Sequence, residues 1–172
     1  CLACKVSDYF SPEGQLWGNP LYAWPRHAKT GYAWWISRLR AMNKLADIVR
    51  LDHFRGFEAF WRVASTEKTA INGEWVKGPG IEFFRAVKKA LPDLEIIAED
   101  LGIVTPAVEK LRKDADFPGM RVLEFGFPID EPNDHHALHM HTPDSVVYCG
   151  THDNDTICGW YDSLDEGMLV RG

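Results

Sequence analysis

Three apolar, strand-like runs in this chain each close on acidic groups, and amphipathic helical stretches separate them. The runs are Ile48-Val49-Arg50-Leu51-Asp52-His53-Phe54, Ile96-Ile97-Ala98-Glu99-Asp100-Leu101 and Val146-Val147-Tyr148-Cys149-Gly150-Thr151-His152-Asp153-Asn154-Asp155. Ionised carboxylates avoid burial unless they are paired or used. One placed just past each of several buried strands therefore points to a shared, functional site.

Trp35, Leu39, Met42 and Ala46 recur at helical spacing and predict a helix over residues 32–45. Phe84, Val87 and Leu91 predict a second over 81–91, ended by Pro92. Thr105-Pro106 reads as an N-cap followed by Pro at the first helical position, opening a short helix to about residue 113. Strands are expected over 47–54, 94–99, 121–127 and 145–150. Strand and helix alternate with no consecutive hairpins, which predicts an α/β fold with a parallel sheet. Residues 1–30 read as an irregular surface segment. Residues 58–80, with Asn72-Gly73 and Gly78-Pro79-Gly80 turn signals, read as a long functional loop, and 128–145 as a further loop.

A net charge of −6 argues against nucleic acid or an anionic membrane as the main partner. No apolar run approaches the roughly 20 residues of a membrane span, and no signal-peptide pattern is visible, so a cytoplasmic location is expected. Cys1 and Cys4 form a CxxC, but no second pair at metal-ligand spacing completes a zinc site. With Cys149 and Cys158, reduced thiols are expected. The chain starts on Cys and stops at Arg171-Gly172 inside a helical pattern, so it is expected to be part of a longer polypeptide.

Alternate residues of a strand share a face, so Arg50 and Asp52 point one way while Val49 and Leu51 point toward covering helices. A guanidinium beside a carboxylate favours the ionised form, as suits a nucleophile or electrostatic stabiliser; an ordinary strand-end ion pair is the plain alternative. Glu99 follows Ile96-Ile97-Ala98, and desolvation would raise its carboxyl toward the range of a general acid. Asp100 must face the opposite way, so parity favours Glu99, though a bend there would exchange the two. The polar run 151–155, with His135, His136, His139 and His141 nearby, allows a zinc reading. Pro132 and Pro143 flank a segment with little sign of helix, however. Asp153 as a third carboxylate, hydrogen-bonding a substrate hydroxyl, is the stronger reading. Two carboxylates in distinct environments can cleave a glycosidic bond, one attacking the anomeric carbon and the other moving the proton. Seven Trp offer flat faces for sugar rings as well as core filling.

At these residues the chain resembles the 4-α-glucanotransferases, the amylomaltases and disproportionating enzymes of glycoside hydrolase family 77. The similar blocks are Arg50-Leu51-Asp52-His53-Phe54-Arg55-Gly56, Ile97-Ala98-Glu99-Asp100-Leu101-Gly102 and Gly150-Thr151-His152-Asp153-Asn154-Asp155. Connecting stretches match too: Asp8-Tyr9-Phe10-Ser11, Gly14-Gln15-Leu16-Trp17-Gly18-Asn19-Pro20-Leu21-Tyr22, Trp75-Val76-Lys77-Gly78-Pro79-Gly80 and Pro118-Gly119-Met120-Arg121-Val122-Leu123. The chain departs from the family pattern at Lys5-Val6-Ser7, where a Gly and a Pro pair are usual. It departs again at Pro128-Ile129, which precede Asp130.

The resemblance implies part of a (β/α)₈ TIM barrel, about strands four to seven with their helices and loops. Segments 1–30 and 58–80 would border the substrate groove. It implies Asp52 as nucleophile after the fourth barrel strand, Glu99 as acid/base after the fifth and Asp153 as transition-state stabiliser after the seventh. Arg50, His152, Gln15 and Trp17 would contact the sugar; Trp17 as simple core packing is the alternative. No metal or organic cofactor is implied. The implied reaction is retaining transfer of α-1,4-glucan segments between maltooligosaccharides or starch-derived glucans and glucose, through a covalent glycosyl-Asp intermediate. An α-glucan hydrolase of the α-amylase group, or an inactive glucan-binding fragment, are the alternatives. A plastid would be the compartment if the source is a plant or alga.

Overall fold

A computed structural model describes residues 2–5, 14–127 and 134–164, with the backbone alone for 2–5. Cys1, the 8–11 block, the departure at 128–130 and the helical pattern at 171–172 lie outside the described residues.

The centre of the fold is parallel. Strand β3 (Ile48–Leu51) pairs with β6 (Glu95–Ala98) in register Val49↔Ile96 and Leu51↔Ala98. Strand β7 (Gly119–Val122) pairs with β8 (Ser145–Tyr148) in the same sense, Met120 opposite Val146. The Ala98 N–H donates to the Pro118 carbonyl at 2.9 Å and brings the two pairs side by side. Helices follow the parallel-sheet logic: α2 (Ala33–Met42) leads into β3, α3 (Gly80–Ala90) into β6, and α4 (Pro106–Ala115) into β7. Val49 and Leu51 are buried beneath them while Arg50 is exposed on the opposite face, as alternation requires. Leu39, Phe83, Phe84, Val87, Val108 and Leu111 supply the helices' share of this core. Phe54, with no exposed surface, sits at its centre, stacked on Phe84 and edge-on to Phe117.

Helix limits follow local chemistry. Thr105 caps α4 by accepting the Val108 N–H, and Pro106 occupies the first helical position, as expected. Helix α2 is shorter than its apolar spacing predicts. Gly31 and Tyr32 both take left-handed conformations just before it, and Met42 and residue 46 are exposed rather than packed. The helix over 80–90 buries Phe83 beside Phe84 and Val87, one more aromatic position than the spacing indicated.

Three expectations are corrected. Residues 58–80 are not a structureless loop but a β-hairpin, β4 (Ala59–Val63) with β5 (Gly73–Lys77). Trp61 packs edge-to-face against Trp75 at 5.3 Å, Arg62 pairs with Glu74, and the Trp61 indole N–H donates to the Ala70 carbonyl. Cross-strand pairs of this kind stabilise a hairpin whatever the length of its connection. Nor are residues 1–30 irregular throughout. They form β1 (Leu2–Lys5), β2 (Gln15–Pro20) and α1 (Trp24–Lys29), and all three strand pairs of the sheet β2-β1-β4-β5 are antiparallel. The rule of alternation without hairpins therefore fails outside the parallel centre. Finally, the strand expected over 121–127 ends at Val122, and Leu123–Gly126 coil into a 3₁₀ turn that buries Glu124.

Candidate active site

The candidate carboxylates Asp52, Glu99 and Asp153 follow the C-terminal ends of parallel strands β3, β6 and β8. Directly after β3, Arg50 Nη2 contacts Asp52 Oδ1 at 2.5 Å, with the Asp52 side chain 73% exposed. Both side chains therefore lie on the open face, opposite Val49 and Leu51. His53 follows in a left-handed conformation (φ 48°, ψ 52°) and starts the 3₁₀ turn Phe54–Phe57. That reversal turns the His53 N–H outward, where it donates to Glu99 Oε2 at 2.6 Å.

Glu99 takes the position expected from strand parity. Its N–H donates to Leu51 O and its carbonyl accepts the Phe54 N–H, so its backbone is stitched to the end of β3. The Leu101 N–H donates to its other carboxylate oxygen at 2.9 Å. Burial pushes the Glu99 carboxyl above the usual glutamate range. The two backbone donors pull against that shift, the Asp52 charge adds to it and Arg50 opposes it. Desolvation favours the protonated form of this carboxyl, while the two donors fix its orientation. Asp100 points the other way, into the core, against Arg112, Arg121 and the Met120 N–H.

Trp17 and Gln15 meet on β2. The Trp17 indole N–H donates to Gln15 Oε1 at 3.0 Å, and the Trp17 ring stands edge-on to His53 at 5.0 Å. Trp17 is 39% exposed and so is not core packing. A cavity of about 880 Å³ opens beside them, with Trp17, Tyr22, Trp34, Arg38, Asp52 and His53 in its wall. The aromatic wall was not foreseen from sequence; Tyr22, Trp24, Trp34 and Trp35 in near succession were its signal.

Asp153 and His152 stand apart from this cluster. Both are largely exposed after β8, where His152 Nε2 approaches Asp153 Oδ2 at 3.4 Å. Asn154 Oδ1 accepts from the Thr151 backbone and hydroxyl and closes the turn that presents them. No hydrogen bond or ion pair among the described residues joins Asp153 to Asp52 or Glu99. Beneath this turn lies Glu124, buried, with Oε1 lacking a hydrogen-bond partner among the described residues. A Cβ on Gly150 would stand 2.8 Å from that oxygen, so glycine alone leaves room for it. Sequence reading missed Glu124 because it assigned the residue to a strand.

Among the described residues no three His, Cys, Asp or Glu side chains converge as a metal site. His136 has a structural part instead. Its Nδ1 accepts the Val122 N–H at 3.1 Å, and burial holds its imidazole below the usual histidine range. Cys149 and Cys158 are free thiols. No helix among the described residues is long and apolar enough to cross a membrane.

Known proteins share both sequence and shape with this chain. It is 55% identical over 160 residues to a 4-alpha-glucanotransferase of Synechocystis sp., covering 92% of this chain and 32% of that protein. It is 54% identical over 162 residues to the Streptococcus pneumoniae 4-alpha-glucanotransferase, covering 94% and 32%. The structure of an amylomaltase from Streptococcus agalactiae in complex with acarbose superposes with a TM-score of 0.93 at 40% identity, over 99% of this chain and 34% of that one. The chain thus spans about a third of the length of the curated relatives it matches. Residues 6–170 match the 4-alpha-glucanotransferase family, and the chain belongs to it.

Proposed function

We propose that this chain is the central catalytic portion of a 4-α-glucanotransferase, comprising about strands four to seven of a (β/α)₈ barrel. The reading rests above all on one observation. Asp52, exposed and paired with Arg50, and Glu99, part-buried and with its carboxyl raised by burial, are joined through the His53 N–H at adjacent parallel strand ends. Two carboxyls in such different environments divide the labour of a retaining glycosyl transfer. Family membership and the likeness to an acarbose-bound amylomaltase add support.

In the first half-reaction an Asp52 oxygen attacks the anomeric carbon of an α-1,4-glucan. The glycosidic C–O bond breaks, and the leaving 4-oxygen takes its proton from Glu99. This leaves a glycosyl ester on Asp52 and an ionised Glu99. In the second half, Glu99 removes the proton from the 4-hydroxyl of an acceptor glucan or glucose. That oxygen attacks the same carbon, the ester bond breaks and Asp52 is released, with net retention. Asp153 grips the distorted sugar, while Arg50 and His152 hold its surroundings. Gln15 and Trp17 line the groove, bordered by segments 1–30 and 58–80.

Product analysis from maltotriose with the full-length protein tests this. A ladder of longer maltooligosaccharides is expected; glucose and maltose alone would make the protein a hydrolase.

A further inference from the structure

Asp100 is the most fully engaged carboxylate among the described residues, yet it faces away from the cavity. Its side chain is 5% exposed. Oδ1 accepts the Met120 N–H at 2.7 Å and lies 3.5 Å from Arg121 Nη1, while Oδ2 lies 3.3 Å from Arg112 Nε. Both guanidiniums are themselves held. Arg112 donates to the Phe117 and Asp144 carbonyls and to the Asp144 carboxylate, and Arg121 donates to the Met120 carbonyl. Gly119 has room for no side chain, because a Cβ there would collide with Asp100 Oδ2.

This clamp adjoins the candidate acid/base by one peptide. The Glu99 backbone is stitched to β3 on one side, and Asp100 is locked to β7 and α4 on the other. With both ends of the 99–100 peptide fixed, the two side chains are held apart, Glu99 against the His53 N–H and Asp100 against the Met120 N–H. The Glu99 carboxyl is thereby turned toward the end of β3, within reach of the His53 and Leu101 donors.

We propose that Asp100 is a positioning residue for Glu99, its salt-bridged clamp setting the direction and desolvation of the neighbouring carboxyl. The inference rests on Glu99 being the acid/base of the proposed reaction. A one-ångström displacement of a reacting group costs up to about a hundredfold in rate, so a loose clamp is felt in kcat rather than KM. It also lets water reach Glu99, which lowers a carboxyl raised by burial. The groups facing Glu99 across β3, Asp52 and Arg50, are unchanged by this, as are Arg112, Arg121 and Asp144 around Asp100.

The test is the pH–rate profile of maltotriose transfer for Asp100→Asn and Gly119→Ala in the full-length protein, beside Glu99→Gln. Gly119→Ala displaces the carboxylate while keeping its charge, so it serves if Asp100→Asn does not fold. For the folded variants a fall in kcat of about ten- to a hundredfold is expected, with KM within about twofold and the alkaline limb moved to lower pH. A purely structural role would reduce the folded fraction and leave that limb in place. Wild-type kcat and limb in either folded variant overturn the proposal, as does recovery of neither as folded protein. Wild-type turnover by Glu99→Gln would instead remove the acid/base reading itself.

Discussion

The His53 backbone N–H donates to Glu99 Oε2 at 2.6 Å, so the residue following Asp52 grips the second candidate carboxylate directly. The backbone that carries Asp52 is thereby tied to the Glu99 carboxylate. A left-handed conformation at a non-glycine residue costs on the order of 1–2 kcal/mol, and here the grip on Glu99 accompanies it.

Glu99 titrates above the ordinary glutamate range because it is buried. The proposed first half-reaction needs its protonated form, so donor cleavage is expected to fall as pH rises through that raised value. The same shift bears on stability. A folded-state pKa above the unfolded one contributes stability that is complete below the unfolded value and lost as pH rises through the folded one. The stability of Glu99→Gln relative to wild type therefore climbs with pH over that window. An amide facing two N–H donors shifts the whole curve by a constant. Urea denaturation across a pH series reads the slope; a flat difference would contradict it.

Phe54 carries the join between β3 and the helical core. Fully buried against Phe57, Phe84 and Phe117, it should cost about 3–5 kcal/mol when replaced by Ala. Denaturant midpoints measure the loss. A cost below about 1 kcal/mol would mean that the site refills.

Gly150→Ala drives a methyl toward Glu124 Oε1, which has no hydrogen-bond partner among the described residues. Overpacking should destabilise the protein by about 1–3 kcal/mol and lower kcat by shifting the turn that carries Asp153. Glu124→Asp, which withdraws that oxygen, should return at least about 0.5 kcal/mol in the double variant. Strict additivity in the double-mutant cycle would show that the two positions do not meet.

Trp17 presents a partly exposed face near His53. If it stacks on a sugar, Trp17→Ala raises KM for maltooligosaccharides about three- to tenfold, equivalent to about 0.5–1.5 kcal/mol of ring contact, with a smaller effect on kcat. Unchanged KM would return Trp17 to a structural part.

The parallel centre was legible at β3 because burial on one face imposes a period of two, Val49 and Leu51 against Arg50, and at β6 because Ile96-Ile97-Ala98 is a short run buried on both faces. Thr105-Pro106 likewise carries its own capping chemistry. The antiparallel sheet was not legible by the same means. Ala59–Val63 and Gly73–Lys77 are half-exposed, so they lack a clean apolar alternation, and their pairing is set by side chains twelve or more residues apart, such as Arg62 with Glu74. The Arg50–Asp52 pair and the outward aim of Glu99 could be read from parity. The His53 donor could not, because it depends on a left-handed backbone that no side-chain pattern announces. Glu124 was hidden by a strand that ends at Val122, five residues earlier than expected.

The central claim is that Asp52 forms the covalent bond. An α-maltotriosyl fluoride needs no acid to release its leaving group, whereas Glu99→Gln removes the proposed base for turnover of the proposed intermediate. Mass analysis of peptides from full-length Glu99→Gln protein after exposure to that donor should find a maltotriosyl adduct on the peptide carrying Asp52, lost when Asp52→Asn is added. An adduct on another carboxylate, or none while fluoride is still released, would contradict the account.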